Sequence, residues 1–407
     1  MHDLENLARR IRDSVDTDRS YAVETLLDMV AVNSVGPAEK AAQHRFANIS
    51  RSSGLEVEII PIPVDRLRSH VRFVETGESY DDRPNVILRV PGGRAKAIVF
   101  NSHIDTVQRS DGWQHESTGQ VVGSRIYGLG SADAKGGLVA ALVAARAIRR
   151  LEVKLPGDLE IQSVIDEEGS GNGTLGAILS SKSTDYRMAV VLEPTGLDVV
   201  YGHRGMLAFD VVCPGKSAHG AIGGGVNAIS SAARAVLALE HLGESLGDLH
   251  EPGYTTPSVN IGIVQGGREI YTTPDQCVIR FSARYAVPQR DLVLSRVESA
   301  IAALGSDLPA EYAPYIAAFN DYDAAETAVD GGLPGHFVDV ARTVRPDAGL
   351  VTIAGTCDAR HFKNLLGVPT LVFGPGRLEV AHSADEHVEV DEILEAATVL
   401  ATFAATG

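Results

Sequence analysis

Hydrophobic positions in the first half of the chain alternate between two kinds of segment. Short runs dominated by apolar residues have the length of buried strands, whereas GGLVAALVAARAIRRL at residues 136–151 is long enough for a helix. The strand-like runs are AIVFNSH, DLEIQSVI and MAVVLE. Strands that alternate with helices predict an α/β layer around a largely parallel sheet. The pair Gly136 and Gly137 at the start of the helix predicts a place where two backbones approach closely.

A different order of segments begins near residue 204. Up to residue 317 the pattern predicts strand, helix, strand, strand, helix and strand, which is the ferredoxin-like order. The six segments are RGMLAFDVVC, NAISSAARAVLALEHL, SVNIGIV, QCVIRFSARYAV, RDLVLSRVESAIAAL and AEYAPYIAAF. The α/β pattern then resumes and ends in the helix VDEILEAATVLATFAA. We therefore predict an α/β domain at 1–203 and 318–407 that is interrupted by an inserted α+β domain at 204–317.

Histidine, aspartate and glutamate residues, which are able to bind metal ions or protons, follow several of these strands or precede the long helix. They are His103, Asp105, Asp133, Glu167, Glu168, Glu193 and His382. Ligands in open α/β sheets bind beyond the carboxyl ends of the strands, so these side chains are expected to lie close together. Imidazole together with carboxylate suits Zn²⁺, with Mn²⁺ or Co²⁺ as substitutes.

Each of these segments also has an explanation without a metal. His103 and Asp105 form an HxD pattern that occurs by chance in many chains, and Glu193 before Pro194 would serve as a turn residue. GLGSADAKGG would be a phosphate-binding glycine loop, but it lacks GK[ST] and places Asp133 against the phosphate. The coincidence of five such segments at one predicted sheet edge favours a metal site.

Composition narrows the choice of partner and compartment. A length of 407 residues favours two domains, and the formal net charge of −17 argues against nucleic acid or an anionic membrane surface as a partner. The three cysteines lie far apart without a CxxC spacing, which fits a reducing compartment. The charged start of the chain predicts a helix rather than a signal peptide, and no stretch approaches the roughly 20 apolar residues of a membrane span. We therefore expect a soluble, cytoplasmic protein.

Nine short motifs then identify a resemblance. In chain order they are SHIDTV, YGLGSADAKGG, DEEGSG, VLEPTG, GHRG, KSAHG, NIGIVQGG, GTCDAR and FGPGRLEVAHSADE. The series resembles the M20 family of metallopeptidases and deacylases, which includes acetylornithine deacetylase, succinyl-diaminopimelate desuccinylase and glutamate carboxypeptidase. The resemblance implies a zinc-peptidase-like α/β catalytic domain with an inserted ferredoxin-like domain that acts as a lid and dimerisation surface, and hence a homodimer.

The resemblance also implies a site for two divalent metal ions, with Zn²⁺ as the first choice and Co²⁺ or Mn²⁺ as alternatives. His103 and Glu193 would bind one ion and Glu168 and His382 the other. Asp133 would bridge the two ions, and the peptide bond that follows it is expected to be cis.

The resemblance also implies roles for other residues of the motifs in proton transfer and in stabilising the oxyanion that forms during hydrolysis. Asp105 would hold the His103 imidazole through its other nitrogen, and Glu167 would be the general base that takes a proton from metal-activated water. His219 in KSAHG would reach the active site of the partner subunit and stabilise the oxyanion once the inserted domain has closed. Asp166 has no assigned role beyond the end of its strand or support for a neighbouring ligand.

Five residues are candidates for substrate binding. Asn260, Arg284 and Thr356 match positions that hold substrate in desuccinylase-like members of the family. Arg204 and Arg360 are further candidates, because a guanidinium pairs bidentately with a carboxylate.

The predicted function is hydrolysis of the N-acyl amide bond of a small carboxylated amino acid. Two alternatives lie within the family: a carboxypeptidase or dipeptidase that uses the same site, and a deaminase-type enzyme that cleaves another C–N bond. A member without catalytic activity, which only binds metal or ligand, is a third alternative, although the presence of Glu167 argues against it.

Overall fold

Two compact units make up the chain. The computed structural model describes residues 2–181 and 184–407. Unit 1 contains the residues up to 202 together with 326–351 and 357–407, and unit 2 contains 203–325 and 352–356. The predicted boundary at 317/318 falls inside a strand, Tyr315–Tyr322, so the inserted unit extends further along the chain than the pattern predicts.

Helices and strands alternate along most of the described chain. The strands are β1 (Glu56–Ile60), β2 (Asn85–Val90), β3 (Ala95–His103), β4 (Gln120–Val122), β5 (Arg125–Tyr127), β6 (Gly157–Val164), β7 (Tyr186–Val191), β8 (Val199–His203), β9 (Gly205–Pro214), β10 (Val259–Gly266), β11 (Gln276–Tyr285), β12 (Tyr315–Tyr322), β13 (Ala325–Glu326), β14 (Leu350–Ile353), β15 (Thr370–Val372) and β16 (His387–Glu389). The α-helices are α1 (His2–Asp16), α2 (Arg19–Val30), α3 (Lys40–Ser52), α4 (Val64–Arg68), α5 (Gly136–Arg150), α6 (Asn172–Ser180), α7 (Ala228–Ser245), α8 (Arg290–Ala303), α9 (Gly332–Val344) and α10 (Val390–Thr406).

The large sheet is parallel at its centre. Within the described residues it has nine strands in the order β1-β2-β6-β3-β7-β15-β8-β13, with β14 beside β8. The neighbours β6, β3, β7 and β15 run parallel to one another. Antiparallel strands flank them, with β1 and β2 on one side and β8 on the other. The α/β class is confirmed, and the sheet is mixed because the flanking strands reverse direction.

The predicted long helix is α5, which packs against α10. Its first residues confirm the close approach that the glycine pair predicts. A Cβ on Gly136 would lie 2.6 Å from the carbonyl oxygen of Ser131, and one on Gly137 would lie 2.8 Å from Cβ of Leu192. Gly137 therefore lets α5 begin next to the end of β7, and Gly136 lets it follow closely on the segment that contains Ser131. None of the described helices is long and apolar enough to cross a membrane.

Unit 2 has its own antiparallel sheet in the order β10-β11-β9-β12. Buried residues of β9 and β11 form a core with α7 and α8, and Phe209 and Phe281 stack there with ring centroids 5.0 Å apart. The order β9-α7-β10-β11-α8-β12 is the predicted ferredoxin-like order. The last strand begins at Tyr315 rather than near residue 310, since Pro314 directly before it has no N–H to donate to a sheet.

Candidate active site

The carboxyl ends of three central strands bring the predicted metal-binding residues together. His103 is the last residue of β3, Glu168 follows β6, and Glu193 follows β7. His103 is in register with the last residue of β6, so the chain leaves both strands at the same edge of the sheet. Asp133 reaches this edge from the segment before α5, and His382 reaches it from the segment between β15 and β16.

The side chains form two groups around Asp133. In the first group, Nε2 of His103 lies 3.0 Å from Oδ1 of Asp133 and 3.6 Å from Oε2 of Glu193. In the second group, Nε2 of His382 lies 3.3 Å from Oδ2 of Asp133 and 3.0 Å from Oε1 of Glu168. The two carboxylate oxygens of Asp133 therefore face different imidazoles.

Irregular backbone aims Asp133 and His382 at this edge. Gly130 has φ 81°, and Asp133 leaves helical geometry with φ −118° and ψ 90°. The peptide bond between Asp133 and Ala134 is cis, which confirms the expectation. His382 also has a positive φ of 58°, a region that few residues other than glycine adopt.

Asp105 is buried beside the cluster, with a contact that differs from the predicted one. Nδ1 of His103 lies 3.0 Å from the backbone carbonyl oxygen of Asp105, which is its hydrogen-bond acceptor, and 3.6 Å from Oδ1 of the side chain. The carboxylate of Asp105 instead accepts the backbone N–H groups of Glu167, at 3.2 Å, and Glu168, at 3.0 Å. Asp105 thus holds the imidazole with its backbone and the turn after β6 with its side chain.

Negative charge is concentrated at the site. Burial raises the pKa of Glu193 to about 7, and repulsion from Asp133 adds to that shift. Burial also raises the pKa of Glu167 well above its ordinary value, and the charge of Glu193 contributes to the same shift. Carboxylates with raised pKa values gain free energy from any cation placed among them.

The carboxylates raise the pKa values of both imidazoles. Burial alone lowers the pKa of His103, but Glu193 and Asp133 outweigh burial and hold that pKa well above its ordinary value. Hydrogen bonds to Asp133 and Glu168 raise the pKa of His382 to about 10. Protons on the imidazoles and divalent cations are therefore alternative means of compensating the same negative charge.

The cluster fits divalent cations. One donor atom from each of His103, Asp133 and Glu168 lies within 4.8 Å of the other two. The hydrogen bond from Nδ1 of His103 to a carbonyl oxygen leaves the lone pair of Nε2 free for a metal. The buried Oε1 of Glu193 has no hydrogen-bond partner among the described residues. Neutral imidazole with several carboxylates is a donor set that Zn²⁺, Co²⁺ and Mn²⁺ accept.

Asp166 belongs to a separate group of buried side chains. Its Oδ2 accepts a hydrogen bond from the Tyr80 hydroxyl at 2.6 Å and another from the Ser170 hydroxyl. Arg83 lies 3.8 Å from Oδ1 of Asp166 and donates two hydrogen bonds to Glu39, at 2.9 and 2.6 Å. Asp166 therefore links the turn after β6 to Tyr80 and Arg83, a role that the sequence does not reveal.

Glu386 is a further buried acid that the sequence pattern does not single out. Its carboxylate accepts backbone N–H groups of Gly130 at 2.9 Å, Ala132 at 2.9 Å and Asp133 at 3.0 Å. Asp385 stands next to it in the sequence, with its carboxylate turned instead to the N–H groups of residues 114 and 115. No local signal distinguishes these two neighbouring acids.

Unit 2 carries four of the predicted substrate residues and His219. Arg284 donates a hydrogen bond to Oγ1 of Thr356 at 2.9 Å, and Thr356 donates to the backbone carbonyl of Arg204 at 2.8 Å. Asn260 is exposed on β10, and His219 is exposed in the segment after β9.

Arg204 is buried, and no acidic side chain among the described residues pairs with its guanidinium. Nε donates to Oγ1 of Thr255 at 3.2 Å, and the ring of Tyr254 lies 5.7 Å from the guanidinium carbon. Neither Nη1 nor Nη2 has a hydrogen-bond partner in the part of the chain that the structure describes. Burial lowers the pKa of Arg204, as expected where no carboxylate offsets desolvation. An unpaired buried guanidinium is suited to an anionic group of a ligand.

Arg360, the fifth predicted substrate residue, lies in unit 1 and is occupied by the protein itself. Nη1 donates to the carbonyl oxygen of Cys357 at 3.0 Å, and Nη2 donates to that of Ser170 at 2.7 Å. Gly171 is required beside it, because a Cβ there would lie 2.1 Å from Nη2. These contacts favour a structural role for Arg360 over the predicted contact with substrate.

Known proteins share both the sequence pattern and the fold. The family model of peptidase family M20/M25/M40 matches residues 99–406. The chain is 30% identical over 366 residues to a probable carboxypeptidase of Aspergillus clavatus, covering 86% of this chain and 84% of the relative. It is 24% identical over 362 residues to N-formyl-4-amino-5-aminomethyl-2-methylpyrimidine deformylase of Bacillus subtilis, covering 81% of this chain and 84% of the relative.

A solved structure shows the same fold at lower identity. The M20 family metallo-carboxypeptidase of Sulfolobus solfataricus matches with a TM-score of 0.73 and 16% identity, covering 94% of this chain and 98% of that chain. The arrangement of an α/β unit with an inserted α+β unit is therefore that of a known enzyme fold.

Proposed function

The chain belongs to peptidase family M20/M25/M40, and on that basis we propose that it is a dinuclear metal-dependent amidohydrolase that removes an acyl group from the nitrogen of a small carboxylated amino acid. As a family member it is a hydrolase that acts on amide C–N bonds. The observation that carries the proposal is the position of Asp133, whose Oδ1 lies 3.0 Å from Nε2 of His103 and whose Oδ2 lies 3.3 Å from Nε2 of His382. A carboxylate between two imidazoles is suited to bridge two cations.

The proposed cation ligands are the two groups around that bridge. His103 and Glu193 would hold one ion, Glu168 and His382 would hold the other, and Asp133 would be shared. Divalent cations in such a site polarise the scissile carbonyl and lower the pKa of a water molecule. Zn²⁺ is the first choice, with Co²⁺ or Mn²⁺ as alternatives.

Glu167 is the proposed general base. Its carboxylate accepts a proton from the attacking water as the new C–O bond forms, and it gives that proton to the leaving nitrogen as the C–N bond breaks. Asp105 supports this role, because its carboxylate fixes the backbone N–H groups of both Glu167 and Glu168. The base and its neighbouring ligand are thereby held in one orientation.

His219 is the proposed donor to the oxyanion, acting in the partner's active site of a dimer. The backbone N–H of Ala221 donates to Nδ1 of His219 at 3.2 Å. The neutral ring then carries its proton on Nε2, which is the atom free to donate. This tautomer supports a role in stabilising developing negative charge.

The substrate carboxylate is assigned to the unpaired guanidinium of Arg204. A buried arginine without an acid loses hydration free energy that a bidentate carboxylate restores. Arg284 and Thr356 extend the same hydrogen-bonded chain, and Asn260 is a further candidate contact.

A homodimer through unit 2 is part of the proposal. β10 is an edge strand of its sheet, and it exposes Ile263 by 46% and Val264 by 51%, while α7 exposes Leu237 by 64%. An open edge strand with apolar side chains is suited to pair with a second copy. Sedimentation velocity of the wild type and of Val264→Lys would test this, with a shift to monomer expected for the variant.

A carboxypeptidase or dipeptidase is the second candidate, since it would use the same cluster. The name of the Aspergillus clavatus relative favours it, whereas the name of the Bacillus subtilis relative favours removal of an N-acyl group. The site itself supports both reactions, because each breaks an amide bond next to a carboxylate.

A substrate panel separates these candidates. The protein is stripped with a chelator, reconstituted with Zn²⁺, Co²⁺ or Mn²⁺, and assayed on N-succinyl, N-acetyl and N-formyl amino acids and on dipeptides. We expect N-acyl amino acids to be the better substrates, and Arg204→Met to raise KM more than it lowers kcat for carboxylated ones. Preference for dipeptides would support the second candidate, and no cation-dependent hydrolysis of any substrate would contradict the proposed function.

A further inference from the structure

The carboxylate of Glu386 accepts hydrogen bonds from the backbone that presents Asp133. Its Oε2 accepts the N–H of Gly130 at 2.9 Å, and its Oε1 accepts those of Ala132 at 2.9 Å and Asp133 at 3.0 Å. Its backbone carbonyl accepts the N–H of Gly128 at 3.0 Å. One buried residue thus fixes four backbone donors of the segment 128–133.

This segment needs an external partner because it satisfies only part of its own backbone donors, with Ser131 donating to the carbonyl oxygen of Gly128 at 2.9 Å. The N–H groups at the start of a helix have no acceptor within that helix. Here the backbone before α5 also departs from helical geometry at Asp133 and Ala134, and the N–H groups of Gly130, Ala132 and Asp133 bond to Glu386 instead of to a preceding helical turn. Unpaired buried N–H groups would cost free energy, and the carboxylate of Glu386 removes that cost.

We propose that Glu386 is a positioning residue for the metal site, which it serves by fixing the direction in which the Asp133 carboxylate points. The inference rests on the proposed function, since it presupposes that Asp133 binds cations. The side chain of Asp133 faces both halves of the cluster, so a small rotation of its backbone misplaces a ligand of both ions at once. Replacement of a residue that orients a metal ligand through hydrogen bonds typically lowers metal affinity by about 10- to 100-fold.

The distribution of hydrogen bonds decides which replacement is informative. In Glu386→Gln one oxygen still accepts two N–H groups, but the amide NH₂ then faces the N–H of Gly130, and two donors oppose each other. Glu386→Asp keeps the negative charge on a side chain that is shorter by one carbon. It therefore separates loss of reach from loss of charge.

Glu389 provides a matched control three residues away. It lies at the end of β16 and contacts Ser124 at 2.6 Å and Arg125 at 2.7 Å near the surface. Glu389→Gln is the same chemical change three residues along the chain, at a side chain whose hydrogen bonds go to Ser124 and Arg125 rather than to residues 128–133.

The experiment measures cation binding and folding separately. Equilibrium dialysis with Zn²⁺ and with Co²⁺ gives affinity and stoichiometry, and thermal unfolding in chelator reports the stability of the fold. We expect Glu386→Gln to bind both ions about 10- to 100-fold more weakly than the wild type while it remains folded at the assay temperature. Glu386→Asp is expected to be weakened as well, and Glu389→Gln is expected to match the wild type.

Three outcomes would overturn the inference. The first is wild-type affinity in Glu386→Gln. The second is wild-type affinity in Glu386→Asp, which decides the matter if the glutamine variant does not fold. The third is equal weakening in Glu389→Gln, which would indicate a general effect of losing a charge. If the wild type itself binds no divalent cation, the proposed function fails, and that result is distinct from all three.

Discussion

Two buried groups of acidic residues in unit 1 are compensated in different ways. The cation cluster consists of His103, Asp133, Glu168, Glu193 and His382. Among the described residues, the ion-pair partners of its carboxylates are imidazoles. The arginine cluster consists of Glu39, Tyr80, Arg83 and Asp166, in which the guanidinium donates two hydrogen bonds to Glu39.

The type of partner decides what each group can do. A guanidinium keeps its proton under all relevant conditions, so the positive charge inside the arginine cluster is permanent. An imidazole can lose its proton and become a ligand, so the cation cluster can exchange protons for metal ions. Buried carboxylates therefore have a fixed partner in the arginine cluster, whereas those of the other cluster have partners that a metal ion can replace.

The run Asp166-Glu167-Glu168 is divided between the two groups. Asp166 joins the arginine cluster, Glu168 contacts His382, and Glu167 has its backbone N–H fixed by Asp105. The positive φ of Asp166, 61°, turns the chain so that neighbouring side chains face different partners. Asp166 thus receives a different partner from its two acidic neighbours.

Replacement of Glu167 should cause the largest loss of all the variants considered, and the loss should be in turnover rather than in stability. Glu167→Gln keeps the shape of the side chain but removes the proton acceptor, so we expect turnover to fall by about 10²- to 10⁴-fold. Steady-state kinetics of the reconstituted variant measures the loss, and metal analysis should show an unchanged cation content. Turnover near that of the wild type with cations bound would contradict the assigned base.

Replacement of Arg83 should lower the stability of the fold without removing the proposed cation ligands. Arg83→Met leaves the buried carboxylate of Glu39 without its partner, and such a change costs about 3–5 kcal/mol of unfolding free energy. Urea unfolding measures the cost, and cation stoichiometry of the folded variant should remain that of the wild type. The double variant Glu39→Gln/Arg83→Met should recover part of the loss, because only Asp166 then keeps a buried negative charge. If Arg83→Met lost bound cations and kept its stability, the structural role of the arginine cluster would be contradicted.

Cations should stabilise the protein through the cation cluster only. At a free concentration 100-fold above Kd, binding to the folded state adds about 2.7 kcal/mol to the free energy of unfolding. Thermal unfolding with and without Zn²⁺ should show this gain in the wild type and in His387→Gln, whose ring packs on Tyr127 rather than in the cluster. A much smaller gain is expected for His382→Gln, and equal gains in both variants would refute the assigned ligand.

Asp18 is a buried acid outside both clusters, and it is paired with two arginines. Its replacement should have the smallest effect on stability, and this effect should depend on pH. Burial raises its pKa, but hydrogen bonds from Arg146 and Arg150 outweigh burial and hold the pKa below the ordinary value of 3.8. The unfolded chain then binds the proton more readily, so the stabilisation is complete above about pH 4 and is lost as the pH falls through the lower folded value.

Asp18→Asn is the matching variant. Because both arginines are partly exposed, we expect it to be less stable than the wild type by about 1–2 kcal/mol at pH 7. The difference should shrink when urea unfolding is repeated below pH 4. A difference that is constant with pH would show that hydrogen-bond geometry, rather than charge, is responsible.

Much of the site could be predicted from the sequence because its residues stand at strand ends. His103, Glu168 and Glu193 each follow a buried apolar run, and parallel neighbours bring such positions to one edge. The motif series added Asp133 to the predicted ligands and also predicted the cis bond after it, and the structure confirms the cis bond. The supporting contacts were not predictable in the same way, and the carboxylate of Asp105 binds N–H groups that the sequence did not suggest.

Sequence by itself determined the types of segment, their order and the chemistry that stands at each strand end, because periodicity and residue type are local properties of the chain. Tertiary structure alone decided which partner each buried acid receives. Asp166 meets Tyr80 from 86 residues away, and Glu386 meets the backbone of Asp133 across 253 residues. Such pairings depend on how distant segments pack, and neighbouring acids such as Asp385 and Glu386 look alike until that packing is known.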